Sequence, residues 1–327
     1  MDKIFIKYKK PFYFANNKLL VDKFIINKFM SGESYSSIAD TINQHMDWGF
    51  DHNNVKRYVS NISHNFKIWN ERPISKHYLL VMIYSFWIEA PNFPRFKKKR
   101  IDIITGIDEY GKFEYLSFHI FSNHYESYWS FVFETLMKRG IKRIDLLCSD
   151  FNLEIKSVLK KWVSNSSNLI GRFMSNAYIN EIYHLTQALN KSKKSKNFDC
   201  KFLDHLDVLK SLDDLNEYLS LINKETNNKL LTHTTNLQLE FKKMKIYELG
   251  KNLKTIFFMY VYSSIFNSDL KKIQDHWCIE TPFDYDHNIQ KCLYLLIDYQ
   301  NDVDMNDIIS VEGLKEEIAS LSLETDE

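Results

Sequence analysis

Between Ile101 and Asp150 the hydrophobic period of the chain keeps changing. Ile101 to Asp108 and Lys112 to Phe121 are apolar runs joined by Asp108-Glu109-Tyr110-Gly111. They predict two strands in a hairpin whose turn uses the positive φ that glycine supplies. From His124 to Lys138, Tyr128, Phe131, Val132, Thr135 and Leu136 fall three and four apart, the spacing of one helix face, and Arg139-Gly140 ends it. Ile141 to Cys148 then predicts a short buried strand. Asp150 follows its end, at the rim where ligands of α/β layers bind. Upstream, Tyr78 to Ala90 (YLLVMIYSFWIEA) is almost continuously apolar and predicts the first, central strand.

The flanks read as helical. Met1 to Phe14 mixes Lys with Phe and Tyr as an extended arm, and Lys18 to Phe29 carries Leu19, Leu20, Phe24, Ile25 and Phe29 at helical spacing. Ser34 is placed to cap a helix over Tyr35 to Gln44, and Asp51 a third helix from Asn53 to Ile62. Two short helices with cations at the start of the second form a helix-turn-helix pattern, in which His52, Asn53, Asn54, Lys56 and Arg57 would face DNA. A plain three-helix cluster with a solvated basic face fits the same pattern. Pro91, Pro94, Arg95, Lys97, Lys98, Lys99 and Arg100 read as a basic loop leading into the hairpin, able to hold a DNA phosphate.

Beyond the strands, Asn176 to Leu231 alternates amphipathic helices with the Lys191 to Lys196 loop. The segment from Thr234 to Phe266 reads as a helix bent near Gly250, His276 to Tyr299 as an aromatic patch, and the acidic stretch beyond Gln300 as a mobile tail. Within that tail, Ile308 to Leu321 is compatible with one amphipathic helix.

Charge changes this picture more than bulk composition does. The chain of 327 residues has 44% hydrophobic content and a net charge of +1, enough apolar surface for a substantial core. Yet residues 1–100 hold 17 Lys and Arg against 8 Asp and Glu, whereas residues 251–327 hold 6 against 15. A basic first third suggests a nucleic-acid face, and an acidic end a solvating or partner-facing one. Cys148, Cys200, Cys278 and Cys292 lack the close spacing of a disulfide framework or zinc site. No apolar run is long enough to span a bilayer, so the expectation is a cytoplasmic, nucleoid-associated protein without a membrane partner.

Strand, strand, helix, strand and then Asp is the order of a ribonuclease-H-like domain. The letters Gly106-Ile107-Asp108-Glu109-Tyr110-Gly111-Lys112, Trp129, Arg139-Gly140 and Ser149-Asp150 resemble the core of Mutator-type transposases. Trp69-Asn70-Glu71-Arg72-Pro73-Ile74 resembles that family's lead-in to its first strand, and Thr234-Thr235-Asn236 the residues before its last catalytic helix. The likeness runs from about Lys28 to about Phe266. The resemblance implies an α/β (α+β) fold, a mixed five-stranded sheet with an all-helical insertion and an N-terminal helix-turn-helix module. The expected divisions are 1–70 for the DNA-binding module, 71–175 for the first part of the core, 176–231 for the insertion, 232–299 for helices completing the core, and 300–327 for the tail. It also implies double-stranded DNA as partner, and a homodimer is expected.

The resemblance carries a mismatch. Its members hold Mg²⁺ or Mn²⁺ on three acids; the second matches Asp150, but gapless counting places the first at Tyr84 and the third at Leu239. A phenol and an alkyl chain cannot supply hard oxygen ligands to such ions. Glu240 and Asp102 are substitute candidates, Glu240 being turned about 100° from the expected helix position. The leading expectation is a DNA-binding protein of transposase descent without strand-transfer activity. An active transposase with displaced acids and an interaction protein retaining only the fold are the alternatives.

Overall fold

A computed structural model gives the fold, and it describes residues 24–26, 28–29, 33–45, 49–90, 97–121, 126–149, 158, 169–175, 213–214, 216–217, 219–220, 235–236, 238–239, 242, 249–262, 290–291, 293–294, 297 and 305–321. The elements are α1 (Tyr35–His45), α2 (His52–Glu71), β1 (His77–Ala90), β2 (Lys97–Asp108), β3 (Phe113–Phe121), α3 (Glu126–Lys138), β4 (Arg143–Ser149), β5 (Ile170–Ser175), α4 (Lys251–Tyr262) and α5 (Val311–Ser320). The expected arm at Met1 to Phe14, the Lys191 to Lys196 loop, Arg95, Asp150 and Glu240 lie outside the described residues.

The strands form one mixed sheet of order β3-β2-β1-β4-β5. β1 pairs antiparallel with β2 and parallel with β4, β2 pairs antiparallel with β3, and β4 parallel with β5. This is the ribonuclease-H-like arrangement, with the apolar Tyr78–Ala90 run at its centre. The hairpin turn falls at Asp108 to Gly111, where Gly111 has φ 85°. Asp108 Oδ1 accepts from the amides of Tyr110 at 3.0 Å and Lys112 at 2.9 Å, so one carboxylate fixes the turn.

One side of the sheet packs on α3: Val81, Ile83, Ile104, Leu116, Leu147, Trp129, Val132, Phe133 and Leu136 share a buried cluster. On the other side Leu80, Met82, Tyr84, Ile103 and Cys148 join Val55, Val59, Ile62 and Trp69 of α2 and Leu314 and Ile318 of α5. Both N-terminal caps form as the sequence predicts. Ser34 Oγ accepts from the Ser37 amide at 3.1 Å, and Asp51 Oδ1 from the Asn54 amide at 2.8 Å.

Three expectations are corrected. The helix expected over Asn53 to Ile62 runs on to Glu71, because Phe66 and Trp69 continue the spacing of Val55, Val59 and Ile62; it stops where Pro73 forces Arg72 out of the helical region (ψ 148°). The boundary expected at 70/71 therefore falls inside the last turn of α2. The basic loop is in part a strand. Lys97, Lys98 and Lys99 pair with Ala90, Glu89 and Ile88, since backbone pairing with the far half of β1 outweighs their polar side chains. Finally, residues 305–321 are docked rather than mobile. Met305 N donates to Gly111 O at 3.1 Å and Asn306 Nδ2 to Tyr110 O at 2.9 Å.

Glu317 completes that docking from α5. Its Oε1 accepts from Asn252 N at 3.0 Å and Asn252 Nδ2 at 2.8 Å, and its Oε2 from Leu253 N at 2.8 Å. A carboxylate thus sits on the free amides and positive dipole end of α4. Gly250 leaves it room, because a Cβ there would lie 2.1 Å from Glu317 Cδ. Arg172 of β5 donates to the Ile318 carbonyl, tying the last helix to the sheet edge.

The Arg-Pro lead-in is a clamp. Arg72 stacks over the Trp69 ring, its Cζ 4.7 Å from the centroid, and donates to Trp69 O at 2.8 Å, Tyr115 O at 2.6 Å and Glu114 Oε2 at 3.3 Å. Glu114 Oε1 accepts from the Tyr78 hydroxyl at 2.5 Å, and Tyr78 Oη accepts from Ser75 N at 3.0 Å. Arg139 donates to Arg72 O at 2.9 Å and Leu116 O at 2.6 Å. Gly106 is required beneath Tyr78, since a Cβ would stand 2.6 Å from that ring.

Removing Arg72 leaves Glu114 and two carbonyls short of donors. Arg72→Ala should lower unfolding free energy by about 2 kcal/mol in urea titration, whereas an unchanged midpoint would contradict the clamp. Glu317→Ala should cost about 1 kcal/mol as a lost cap, read the same way.

Candidate functional site

The site positions lie along β1 and β4. Met82 pairs with Cys148 across the parallel ladder, and Tyr84 lies two residues beyond Met82 with Ile103 as its β2 partner. Tyr84 is 4% exposed and shares its cluster with Leu80, Met82, Ile103 and Cys148. The position expected for the first acid is thus a buried phenol on a largely apolar face. Cys148 is fully buried, and burial pushes its thiol far above the ordinary range, which disfavours the thiolate.

Asp102 belongs to the opposite face. Its β1 partner is Ser85, the neighbour of Tyr84, and adjacent strand residues point to opposite sides. Arg100 Nε donates to Asp102 Oδ1 at 2.7 Å and Arg100 Nη2 to Ser85 Oγ at 2.6 Å. Burial raises the Tyr128 phenol of α3, Asp102 raises it further, and Arg100 opposes them. The sheet therefore separates Asp102 from Tyr84. Arg100, 4% exposed, neutralises Asp102 inside the fold.

Leu239, at the third expected position, is helical and 59% exposed. The neighbouring Gln238 Nε2 donates to Asn216 Oδ1 at 2.9 Å, joining this segment to a helical residue of the expected insertion. Among the described residues no group of three His, Cys, Asp or Glu is placed to hold a metal ion. The groups described at two of the expected positions, the buried phenol of Tyr84 and the exposed alkyl chain of Leu239, are not donors that fit a two-metal centre.

The basic face is formed by α2, whose His52, Asn53, Lys56 and Arg57 are exposed and whose Asn54 is half-buried beside the Asp51 cap. Helix α1 packs against it, Asn43 bridging the connection by donating to Phe50 O at 2.7 Å and accepting from Phe50 N at 2.8 Å. The side chains of Lys97, Lys98 and Lys99 lie outside the described residues. Sequence reasoning missed the Arg72–Glu114–Tyr78 and Arg100–Asp102–Ser85 networks; strand pairing brings Ser85 to Arg100 and Asp102, whereas Arg100 and Asp102 are two residues apart on one strand.

Burial first, and the charge of Arg139 second, hold His119 down at about 4. Its ring stands edge-on to Tyr128 with centroids 5.6 Å apart. The unfolded chain takes up this proton near pH 6.5, the folded chain only near 4, so the unfolded state binds more protons between these values and stability falls as pH drops through that window. A His119→Gln variant should lose less stability than the parent between pH 7 and pH 5 in urea titrations, and parallel losses would contradict this. Asp102→Ala should cost about 3–5 kcal/mol by stranding a buried guanidinium. An Arg100→Met/Asp102→Leu double variant should recover most of it, and a near-neutral single variant would contradict the pairing.

Comparison with known proteins agrees with this geometry. The family model described as "Transposase, Mutator family" matches residues 12–168, covering the N-terminal helices and β1 to β4. The transposases for insertion sequence element IS256 in transposon Tn4001 from Staphylococcus aureus and from Enterococcus faecalis are each 25% identical over 156 residues, 47% of this chain. The match covers 40% of the length of these relatives. Thr234-Thr235-Asn236 and Leu239 fall outside the family match. Through the segment 12–168, which holds the lead-in clamp and the central strands, this chain is similar to the Mutator family of transposases.

Proposed function

We propose that this chain is a DNA-binding protein of transposase descent that has lost metal-dependent strand transfer, with Asp150 the remaining acid of the expected set. The observation that carries the reading is Tyr84, a buried phenol packed with Met82 and Cys148 where the family resemblance calls for a metal-binding carboxylate. Two-metal phosphoryl transfer requires hard oxygen donors that hold both ions. Pairing of Asp102 with Arg100 on the other face removes the nearest described substitute. Loss of even one electrostatic stabiliser typically costs about 3 kcal/mol in a transition state.

DNA binding is supported by the exposed cations and amides of α2 and by its family. On this reading α1 and α2 form the helix-turn-helix pair, with Lys56 and Arg57 on phosphates and the amides near base edges. Double-stranded DNA is the partner, and the protein acts as a DNA-occupying or regulatory factor.

The test combines binding and cleavage. Affinity for a fluorescein-labelled duplex should fall steeply and linearly with the logarithm of salt concentration, because phosphate contacts release counterions. With Mg²⁺ or Mn²⁺ the protein should nick and join the same duplex no faster than its Asp150→Asn variant. Cation-dependent cleavage abolished by Asp150→Asn would instead establish an active enzyme with displaced acids, and salt-independent or absent binding would leave an interaction protein.

A further inference from the structure

Helix α2 buries Val55, Val59, Ile62 and Trp69. At about 100° per residue, the direction opposite that stripe runs through Asn53, Arg57, Ser60, His64 and Lys67. All five are exposed. From His52 to Asn70 the sequence contains no Asp or Glu, and among the described residues no carboxylate pairs with Lys56, Arg57 or Lys67. A helix that meets only water usually carries both signs at i, i+4 spacing. An outward side with three bases and no acid before the last residue is complementary to a polyanion.

The first turn is the poorer half of that surface for DNA. Asp51 stands there as an exposed carboxylate, held below its ordinary value first by the Asn54 amide and also by the Asn53 side chain and His52. A negative charge at the helix start disfavours a phosphate at that end. Farther along, Arg57 and Lys67 are ten residues apart, about 15 Å along the axis at 1.5 Å per residue. The major groove of B-DNA is about 12 Å wide. A helix crossing that groove can therefore bring one cation to each bordering phosphate row, with His64 between them on that side and the exposed Asn61 about 60° round the helix from it, both within reach of the base edges. An Asn amide can bond adenine N6 and N7 together, and an imidazole offers both donor and acceptor.

The geometry points to a duplex-DNA site centred on Asn61 and His64 and bounded by Arg57 and Lys67, in the middle of α2 rather than at its first turn; this rests on the DNA-binding reading above and fixes which residues serve it. Phosphate contacts supply affinity and salt dependence, and base contacts supply sequence preference. The two ends of the stripe and its centre therefore have separable effects.

The experiment uses the full chain and random-sequence fluorescein-labelled duplex across a salt series, followed by selection of preferred duplexes from the random pool. Arg57→Ala and Lys67→Ala should each reduce the slope of log affinity against log salt by about 1. Asn61→Ala and His64→Ala should leave the slope intact and broaden or erase the sequence preference of the parent, while Asn53→Ala changes neither. All are surface substitutions to the best helix former, and circular dichroism checks folding. A Lys67→Ala slope equal to the parent's, with Lys56→Ala or Arg57→Ala reducing it, overturns this inference and confines the contact to the first turns. A preference unchanged by Asn61→Ala and His64→Ala overturns the base-reading centre. A parent whose affinity is flat in salt overturns the DNA-binding reading itself, a result distinct from the other two.

Discussion

Arg72 sits where the longest described helix ends and the sheet begins, and its guanidinium bonds both. It donates back to Trp69 O at 2.8 Å and across to Tyr115 O at 2.6 Å, with Glu114 balancing its charge and Trp69 stacking beneath it. Glu114 in turn holds Tyr78 at the start of the central strand, and Arg139 closes the ring from the end of α3 onto Arg72 O. A partly buried cation is tolerated because it donates to two carbonyls and a carboxylate. The consequence is mechanical: α2 cannot turn against β1 without breaking this network, so the basic helix and the sheet move together.

Much of this was legible in local pattern. The nearly continuous apolar run Tyr78–Ala90 announced the central strand of the sheet, and the place of β1 in the strand order bears that out. Asp108 and Gly111 announced the turn, and Ser34 and Asp51 the caps, because each acts on amides within a few residues. What escaped the sequence acts over long separations. Lys97 to Lys99 look like a solvated loop until Ile88 to Ala90 are seen to pair with them. Glu317 meets Asn252 across 65 residues, so a segment that reads as an acidic tail becomes a cap for another helix. Glu114 and Tyr78 gave no signal, since an acid on a strand is commonplace until an Arg and a Tyr converge on it.

The same separation of roles distinguishes the residues of the motif-like segments from those at the positions expected for acids. Trp69, Arg72, Gly106, Gly111 and Arg139 all serve the scaffold: clamp, close packing beneath Tyr78, turn and tether. Their loss would destabilise the chain whatever its activity. A metal-holding carboxylate contributes nothing to folding and is costly to bury unpaired. Tyr84 packs among Met82, Ile103 and Cys148, as a core position favours.

The claim on which this account rests is that α2 and the central sheet are one cooperative unit joined by the Arg72 network. Native-state hydrogen exchange of the full chain measures this residue by residue. The account predicts that the amides of Ile62 to Trp69 exchange with the same opening free energy as those of Leu80 to Met82, with the same dependence on denaturant. A lower, separate opening free energy for α2 while β1 stays protected would show an independent helical module and contradict it.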